Sequence, residues 1–226
     1  MKHLKSVILG IFAGMAISFG GLINLICISQ GHRLLGNILF GVGLLIVCSF
    51  GLFLFTGKIG YVFDNKKDYL LTLLEMYVGN LLGALAIGYG LRLANSGGLD
   101  SAIEAAEAIA SKKLVLDASG SSWYGMLING FLCGILVYLA VDAFKNELFH
   151  PVLRIFILLL CVATFVIAGF EHCIANMFYF GFSNTYASAF GDTVLSLFIC
   201  TVGNSLGAIA LNEGLKFAKN KIITKV

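Results

Sequence analysis

Charge is scarce in this 226-residue sequence, since only 12 % of the residues are Asp, Glu, Lys or Arg. That is about half the share that soluble domains carry. Proline is also scarce, with Pro151 the single example, and the six cysteines include no CxxC pair. The low charge argues against an ordinary soluble enzyme and a disordered chain, and the low proline content excludes a collagen-like chain. The cysteine spacing gives no zinc or disulfide framework.

Apolar residues take the place of charge and make up 59 % of the chain. A soluble core of this size could not bury so much apolar surface, so the composition predicts an integral membrane protein. Residues 6–31 contain no charge, and this run is too long for the apolar core of a cleavable signal peptide. We therefore expect the N-terminal segment to span the membrane.

Six apolar runs reach the length of roughly 20 residues that spans a bilayer as a helix. Their apolar residues are continuous rather than alternating, which favours helices over the strands of a barrel. The six runs are 6–28, 34–57, 69–94, 122–144, 152–179 and 193–214. The predicted fold class is all-α, with six transmembrane helices.

The basic residues predict the orientation. If the N-terminus is cytoplasmic, only four of the 15 Lys and Arg residues face outward, namely Arg33, Arg92, Lys112 and Lys113. Cytoplasmic loops carry the excess of basic residues in membrane proteins. We therefore predict a multi-pass protein of the cytoplasmic membrane with both termini in the cytoplasm.

A sequence repeat divides the chain into two halves. The pattern VGNxxGA occurs at 78–84 in the third run and at 202–208 in the sixth, so Asn80 and Asn204 hold equivalent positions. Three spans per half give the halves opposite topology, the inverted repeat of many transporters. Close packing through small residues is the structural alternative. We predict one transmembrane domain, with a first repeat at about 1–94, an outer linker with a short helix at 95–121 and a second repeat at 122–226.

Polar residues interrupt the second run of each half. Glycine and polar side chains lie within 50–58 and 168–176, which predicts broken helices whose loops line a cavity. Ionisable groups inside a span are functional by default, and we assign His172 this role. Asn176 follows four residues later, and Thr56 is the polar candidate from the first half. For Glu171 we expect a structural role, with its carboxylate bound by backbone amides at the helix break.

Several segments together resemble the formate/nitrite transporter family, which also includes hydrosulfide channels. They are LFTG at 54–57, GFLCGILVYLAV at 130–141, GFEHCIANM at 169–177 and both GNxxG motifs. The resemblance covers essentially the whole chain. It implies an aquaporin-like fold, a homopentamer with one pore per subunit, and no cofactor, metal or nucleic-acid partner. Thr56, His172 and Asn176 would be the central polar contacts of the pore.

The resemblance also implies two apolar constrictions, formed by Phe40, Leu44, Leu54, Phe55, Phe165 and Ala175. The chain departs from the family at three informative places. Gly134 replaces an expected asparagine, so we expect one hydrogen bond near the histidine to be missing. Lys58 stands where the family commonly has Asn or Ser. The family's lysine before the fourth span has no aligned equivalent, and Lys112 or Lys113 are the candidates to replace it in the outer vestibule.

These residues predict a channel or transporter, not an enzyme, for a small monovalent anion or its conjugate weak acid. The predicted substrate class is formate, nitrite or hydrosulfide. An anion pays a large desolvation penalty in an apolar constriction and a neutral acid avoids most of it, so we expect hydrogen bonds from His172 and Thr56 and a dependence on mildly acidic pH. Two alternatives are a membrane haem protein and a scaffold subunit without transport. Haem ligation by two histidines is disfavoured, since only His172 lies deep within a span.

Overall fold

The computed structural model describes residues 2–94, 97–117 and 120–223, with side chains from residue 3 to residue 219. Parts of the predicted linker, 95–96 and 118–119, and the last residues of the predicted second repeat, 224–226, lie outside the described residues. The same holds for the side chains of Lys2, Lys221 and Lys225, which contributed to the predicted orientation. Throughout the described part, the regular structure is helical.

The helices follow the apolar runs. They are α1 (Lys2–Ser29), α2 (Arg33–Leu39), α3 (Gly41–Ser49), a 3₁₀ helix (Ile59–Asp64), α4 (Tyr69–Ala94), α5 (Asp100–Ser111), α6 (Trp123–Lys145), α7 (Pro151–Ile167), α8 (Cys173–Phe182), α9 (Thr185–Ser188) and α10 (Phe190–Ile223). Four segments are long and apolar enough to cross a membrane: His3–Ser29, Tyr69–Ala94, Trp123–Lys145 and Phe190–Lys219. The predicted spans 34–57 and 152–179 contain shorter apolar helices instead.

Glycines let the long helices pack in two close pairs, α1 with α4 and α6 with α10. A Cβ atom on Gly14 would lie 2.1 Å from the Asn80 carbonyl oxygen, and one on Gly134 would lie 2.1 Å from the Asn204 carbonyl oxygen. Gly134 is therefore a backbone contact between helices. A side chain at this position would meet α10 first, and the expectation of a missing hydrogen bond near the histidine stays a prediction.

Both shorter-helix segments contain the same kind of turn. Helix α3 is followed by Gly51 with φ of +63°, and helix α7 is followed by Gly169 with φ of +72°. Glycine adopts this left-handed conformation without steric cost, and it is typical of a helix C-terminus. In each turn the next amide donates to a carbonyl five residues back, from Leu52 to Val47 and from Phe170 to Phe165, at 2.9 Å in both cases.

Asn80 fixes the first of these turns against helix α1. Its Nδ2 atom donates to the carbonyl oxygens of Gly10, at 2.8 Å, and Phe53, at 2.9 Å. Its Oδ1 atom accepts from the Phe55 amide at 2.9 Å. The side chain is fully buried. These bonds satisfy backbone groups that the non-helical turn leaves without helical partners.

Asn204 makes the corresponding contacts in the second half. Its Nδ2 atom donates to the carbonyl oxygens of Gly130, at 2.8 Å, and Glu171, at 2.7 Å. Its Oδ1 atom accepts from the Cys173 amide at 2.9 Å. The two asparagines of the repeated motif thus bind two turns in the same way, and each turn carries residues of the candidate site.

Helix α5 is the short helix within the linker. It packs against α1 and α8 through Ala102, Ala106 and Ala110, which are all buried. Lys112 ends the helix and is exposed, whereas Lys113 is half-buried and turns toward α8. The position of α5 therefore decides which of the two lysines reaches the site.

Candidate functional site

His172 lies at the N-terminus of α8, at the end of the second turn. The side chain is 3 % exposed and its ring stacks on Phe165 with 5.8 Å between ring centres. The Nδ1 atom accepts from the Ala175 amide at 3.2 Å and caps the helix. The Nε2 atom lies 2.8 Å from Thr56 Oγ1, so one hydrogen bond joins the two turns.

These contacts define which nitrogen of His172 carries the proton. Nδ1 accepts from the Ala175 amide, so it has no hydrogen of its own, and a neutral ring then carries its proton on Nε2. Nε2 therefore donates to Thr56 Oγ1, and this assignment follows from the hydrogen-bond network. The Thr56 hydroxyl keeps its own hydrogen for a further acceptor. Thr56 is thus the group of this pair that has a donor to offer.

A cavity of about 240 Å³ opens on one side of His172, and we call it the Lys113 cavity. Charged, amide and aromatic side chains all contribute to its wall. They include Asn24, Arg33, Asn37, Phe40, Lys113, Phe165, His172, Ala175, Asn176 and Tyr179. The predicted residues His172, Asn176, Ala175, Phe40, Phe165 and Lys113 therefore meet at one cavity. Lys112 does not line it.

Glu171 is bound by side chains beside this cavity. Its Oε2 atom accepts from Lys113 Nζ at 2.6 Å and from Asn176 Nδ2 at 2.8 Å. The expectation that backbone amides bind this carboxylate is wrong, because Lys113 and Asn176 supply its donors. Lys113 also lies 5.9 Å from the centre of the Tyr179 ring. Asn176 thus orients the acid, while its Oδ1 atom is buried without a hydrogen-bond partner among the described residues.

A second cavity of about 70 Å³, which we call the Lys58 cavity, is lined by Leu54 and Gly57 on either side of Thr56 in the chain, while Thr56 itself lines neither cavity. Apolar residues and two lysines line it. The residues are Val47, Cys48, Gly51, Leu52, Leu54, Gly57, Lys58, Val141, Phe144 and Lys145. It shares no lining residue with the Lys113 cavity. Buried side chains separate the two spaces.

The separating residues include most of the predicted constriction. The rings of Phe40 and Phe165 meet edge to face at 5.9 Å, and Leu44 and Leu54 are 2 % and 1 % exposed. Phe55 differs from the prediction. Its ring packs against Tyr77 at 5.1 Å and lines an apolar groove between α4 and α10 instead of either cavity. Phe55 points away because its amide, held by Asn80, lies on the other face of the turn from Leu54.

Sequence reasoning missed a polar pair in the Lys113 cavity. Asn24 Nδ2 donates to Asn37 Oδ1 at 3.0 Å, and Tyr179 donates to Asn24 Oδ1 at 3.3 Å. Both asparagines are buried. The signal was present in the sequence, since Asn24 and Asn37 are polar residues within predicted spans.

The Lys113 cavity and a separate surface depression beside Lys58 lie toward opposite ends of helix α1. Ile28 lines the Lys113 cavity, and Ser6 lies with Lys58 in a surface depression at the other end. At 1.5 Å per residue these two positions are about 33 Å apart along the helix, close to the ~30 Å of a bilayer core. The Lys113 cavity and this depression, which shares Lys58 with the Lys58 cavity, are therefore separated by about one membrane thickness along α1.

The family model for formate/nitrite transporters matches residues 1–218. The chain belongs to the formate/nitrite transporter family. It is accordingly a multi-pass membrane protein of a transporter family, not an enzyme, as the sequence motifs predicted.

Characterised relatives are distant. A formate-nitrite transporter of Entamoeba histolytica is 28 % identical over 92 % of this chain and 62 % of the relative. A probable formate transporter of Methanothermobacter thermautotrophicus is 28 % identical over 77 % of this chain and 73 % of the relative. The chain thus spans less than two thirds of the length of the Entamoeba protein.

A solved structure shares the fold. A pentameric formate channel with formate bound superposes with a TM-score of 0.80, covers 98 % of both chains and is 24 % identical. The all-helical arrangement of apolar helices is therefore that of the known formate/nitrite transporter structures.

Proposed function

We propose that the chain is a channel or transporter that carries a small monovalent anion, or its conjugate weak acid, past the His172–Thr56 pair. The observation that carries this proposal is the hydrogen bond of that pair, with His172 in the wall of the Lys113 cavity and with Leu54 and Gly57, close to Thr56 in the chain, in the wall of the Lys58 cavity. Thr56 and His172 are 2.8 Å apart, and Leu54 and Phe165 are buried beside them. The names of the relatives and of the structural neighbour support formate and nitrite as substrates, and we include hydrosulfide in the proposed class because of the motif resemblance.

We further propose that the fold is an inverted repeat of three transmembrane helices per half, with the second helix of each half broken. The twin contacts of Asn80 and Asn204, and the matching turns at Gly51 and Gly169, support this arrangement. The same contacts support the division into repeats at about 1–94 and 122–226, joined by the linker at 95–121.

The proposed pathway begins where charge attracts the anion. Removing an anion from water costs several kcal/mol even after the protein relaxes, so the apolar constriction favours an anion that is hydrogen-bonded or protonated. The Thr56 hydroxyl has a hydrogen to donate, and His172 Nε2 supports it by donating to Thr56 Oγ1. In this mechanism Thr56 contacts the ion directly, and His172 orients Thr56.

We propose a homopentamer, in line with the pentameric structural neighbour. The basic residues Lys5, Lys58, Lys66 and Lys67 favour the Lys58 cavity as the cytoplasmic opening, with both termini on that side. The Lys113 cavity would then be the outer vestibule, with Lys113 rather than Lys112 as its basic residue. The lipid bilayer of the cytoplasmic membrane would surround the assembly.

The alternatives of haem protein and scaffold fit the site less well. Both ring nitrogens of His172 already have hydrogen-bond partners, so an iron atom would have to displace one of them. An absorption spectrum without a Soret band in purified protein would exclude a haem protein. A scaffold subunit would give no anion flux in vesicles.

The decisive experiment measures uptake of formate, nitrite and hydrosulfide into vesicles containing the purified protein, at two pH values. We expect flux of at least one of these ions, and we expect His172→Ala and His172→Gln to lose most of it. Flux and pH dependence that survive both substitutions would refute the role of His172. Vesicles without flux of any of the three ions would refute the proposed substrate class.

A further inference from the structure

We infer that Lys58 and Lys145 form an anion-binding site of their own in the Lys58 cavity, which takes a small monovalent anion. This inference rests on the proposed function for the identity of the ion. The site is distinct from the Lys113 cavity, since the two cavities have no lining residue in common.

Aromatic rings position the two ammonium groups. Lys58 Nζ lies 4.7 Å from the centre of the Phe53 ring, and Lys145 Nζ lies 4.5 Å from the centre of the Tyr61 ring. A cation above a ring face is attracted without losing its charge. The rings therefore hold both lysines beside the cavity and leave their positive charge available to an ion.

Carboxylates do not neutralise this charge. Within the described part of the chain, neither Lys58 nor Lys145 forms a salt bridge. Asp142 lies one helical turn before Lys145 and attracts it through space, but its Oδ1 atom accepts from the Tyr61 hydroxyl at 2.9 Å and it forms no salt bridge with Lys145 among the described contacts. Lys113 differs, because Glu171 binds it at 2.6 Å. The Lys58 cavity thus holds two lysines without a salt-bridge partner among the described residues, whereas the lysine of the Lys113 cavity is paired.

The remaining wall strengthens the attraction and limits the size of the ion. Val47, Leu52, Leu54, Val141 and Phe144 are apolar and screen the lysines poorly. Electrostatic interactions are stronger beside such walls than in water, and a cleft of one charge sign concentrates counter-ions. A volume of about 70 Å³ accepts a few water molecules or an ion of three or four heavy atoms.

The site is adjacent to the proposed pathway. Leu54 and Gly57 line the cavity and flank Thr56 in the chain. We therefore expect an ion held by Lys58 and Lys145 to lie close to Thr56 in the pathway, although Thr56 itself does not line the cavity. We expect this site to give the protein a higher affinity for anions that enter from the Lys58 side.

Cys48 provides a direct test, because this thiol lines the cavity and is half-buried. The rate at which N-ethylmaleimide modifies Cys48 is measured by mass spectrometry of purified protein, with and without formate. We expect formate to slow the reaction several-fold in the wild type. The protection should persist in Lys58→Arg and disappear in the double variant Lys58→Gln/Lys145→Gln. Lys67→Gln removes an exposed lysine that does not line the cavity, and it should leave the protection intact.

Wild-type protein without protection by formate would overturn the inference, as would equal protection in the double variant. The labelling requires no transport, so its result is independent of whether the proposed function holds.

A flux measurement tests from which side of the membrane the ion reaches the site. The double variant loses both charge-assisted contacts, so it should raise KM by about tenfold or more for formate entering from the Lys58 side and leave KM from the Lys113 side unchanged. Equal changes on both sides would contradict a local site.

Discussion

Lys113 and Glu171 form an ion pair at the edge of the Lys113 cavity, with Nζ and Oε2 2.6 Å apart. Both side chains are largely buried, and Asn176 adds a second donor to the same carboxylate oxygen. The positive charge of Lys113 is therefore partly compensated before any anion arrives. We therefore expect the Lys113–Glu171 pair to influence the affinity of the Lys113 cavity for an anion.

The Glu171→Gln substitution is expected to strengthen anion entry from the Lys113 side. The amide still accepts a hydrogen bond from Asn176, while the Lys113 charge loses its counter-ion. We expect the KM for formate from that side to fall several-fold, as measured in vesicles of defined orientation. Lys112→Gln is the matched control, because Lys112 is exposed and does not line the cavity. A KM unchanged in Glu171→Gln would contradict the assigned role of Lys113.

Two substitutions of Thr56 test the effect of its hydroxyl group separately from the effect of its side-chain shape. Thr56→Val removes the hydroxyl that donates to the ion in the proposed mechanism and accepts from His172 Nε2. Flux should therefore fall by about ten- to a hundredfold, which corresponds to the loss of one buried hydrogen bond whose partner is left unsatisfied. Thr56→Ser keeps the hydroxyl and should retain most of the flux. The measurement is the initial rate of formate uptake at equal amounts of inserted protein. Equal rates in both variants would show that the hydroxyl has no part in transport.

His172 has two roles that different substitutions separate. Its Nδ1 atom caps helix α8, and asparagine is also a good capping residue, whereas alanine is not. His172→Asn should therefore keep thermal stability in detergent close to the wild type, while His172→Ala loses about 1 kcal/mol. Both variants lack an Nε2 donor for Thr56 and should lose flux. Full flux in a stable His172→Asn variant would exclude this positioning role.

Gly134 is predicted to be intolerant of any side chain. A Cβ atom there would meet the Asn204 carbonyl oxygen at 2.1 Å, so the helices α6 and α10 would have to separate. We expect Gly134→Ala to destabilise the protein by about 1–3 kcal/mol. Gly214→Ala in α10 is the control, because nothing lies within 4 Å of a Cβ atom at that position. Thermal unfolding in detergent should show a stability loss only for Gly134→Ala.

Much of the fold can be predicted from the sequence, because backbone polar groups inside a membrane have to be hydrogen-bonded within the protein. Long uncharged runs have to be helices, and four of them are continuous helices of sufficient length. The motif residues around His172 also predicted which side chains meet at the Lys113 cavity. Sequence spacing could assign these residues to segments with little ambiguity.

The remaining features depend on geometry that spacing does not encode. Phe55 follows Leu54 directly, yet the two side chains face different spaces because the Asn80 contact fixes the turn. Which of Lys112 and Lys113 lines the cavity depends on how α5 packs against α1 and α8, and sequence spacing does not give that packing. The sequence did not indicate a binding role for Lys145, because a lysine at the end of a span is usually solvated. Only the folded structure brings Lys145 to the same cavity as Lys58.

The contacts of Asn80 and Asn204 have an evolutionary consequence. Each asparagine binds backbone groups of its own half, and Asn204 also accepts from Cys200 Sγ at 4.0 Å in the same half, so each half contains the contacts that shape its turn. If the proposed inverted repeat holds, two copies of one ancestral three-helix polypeptide, inserted into the bilayer in opposite directions, would have been sufficient to form two such turns. Gene fusion would then have allowed the two copies to diverge, one acquiring the threonine and the other the imidazole.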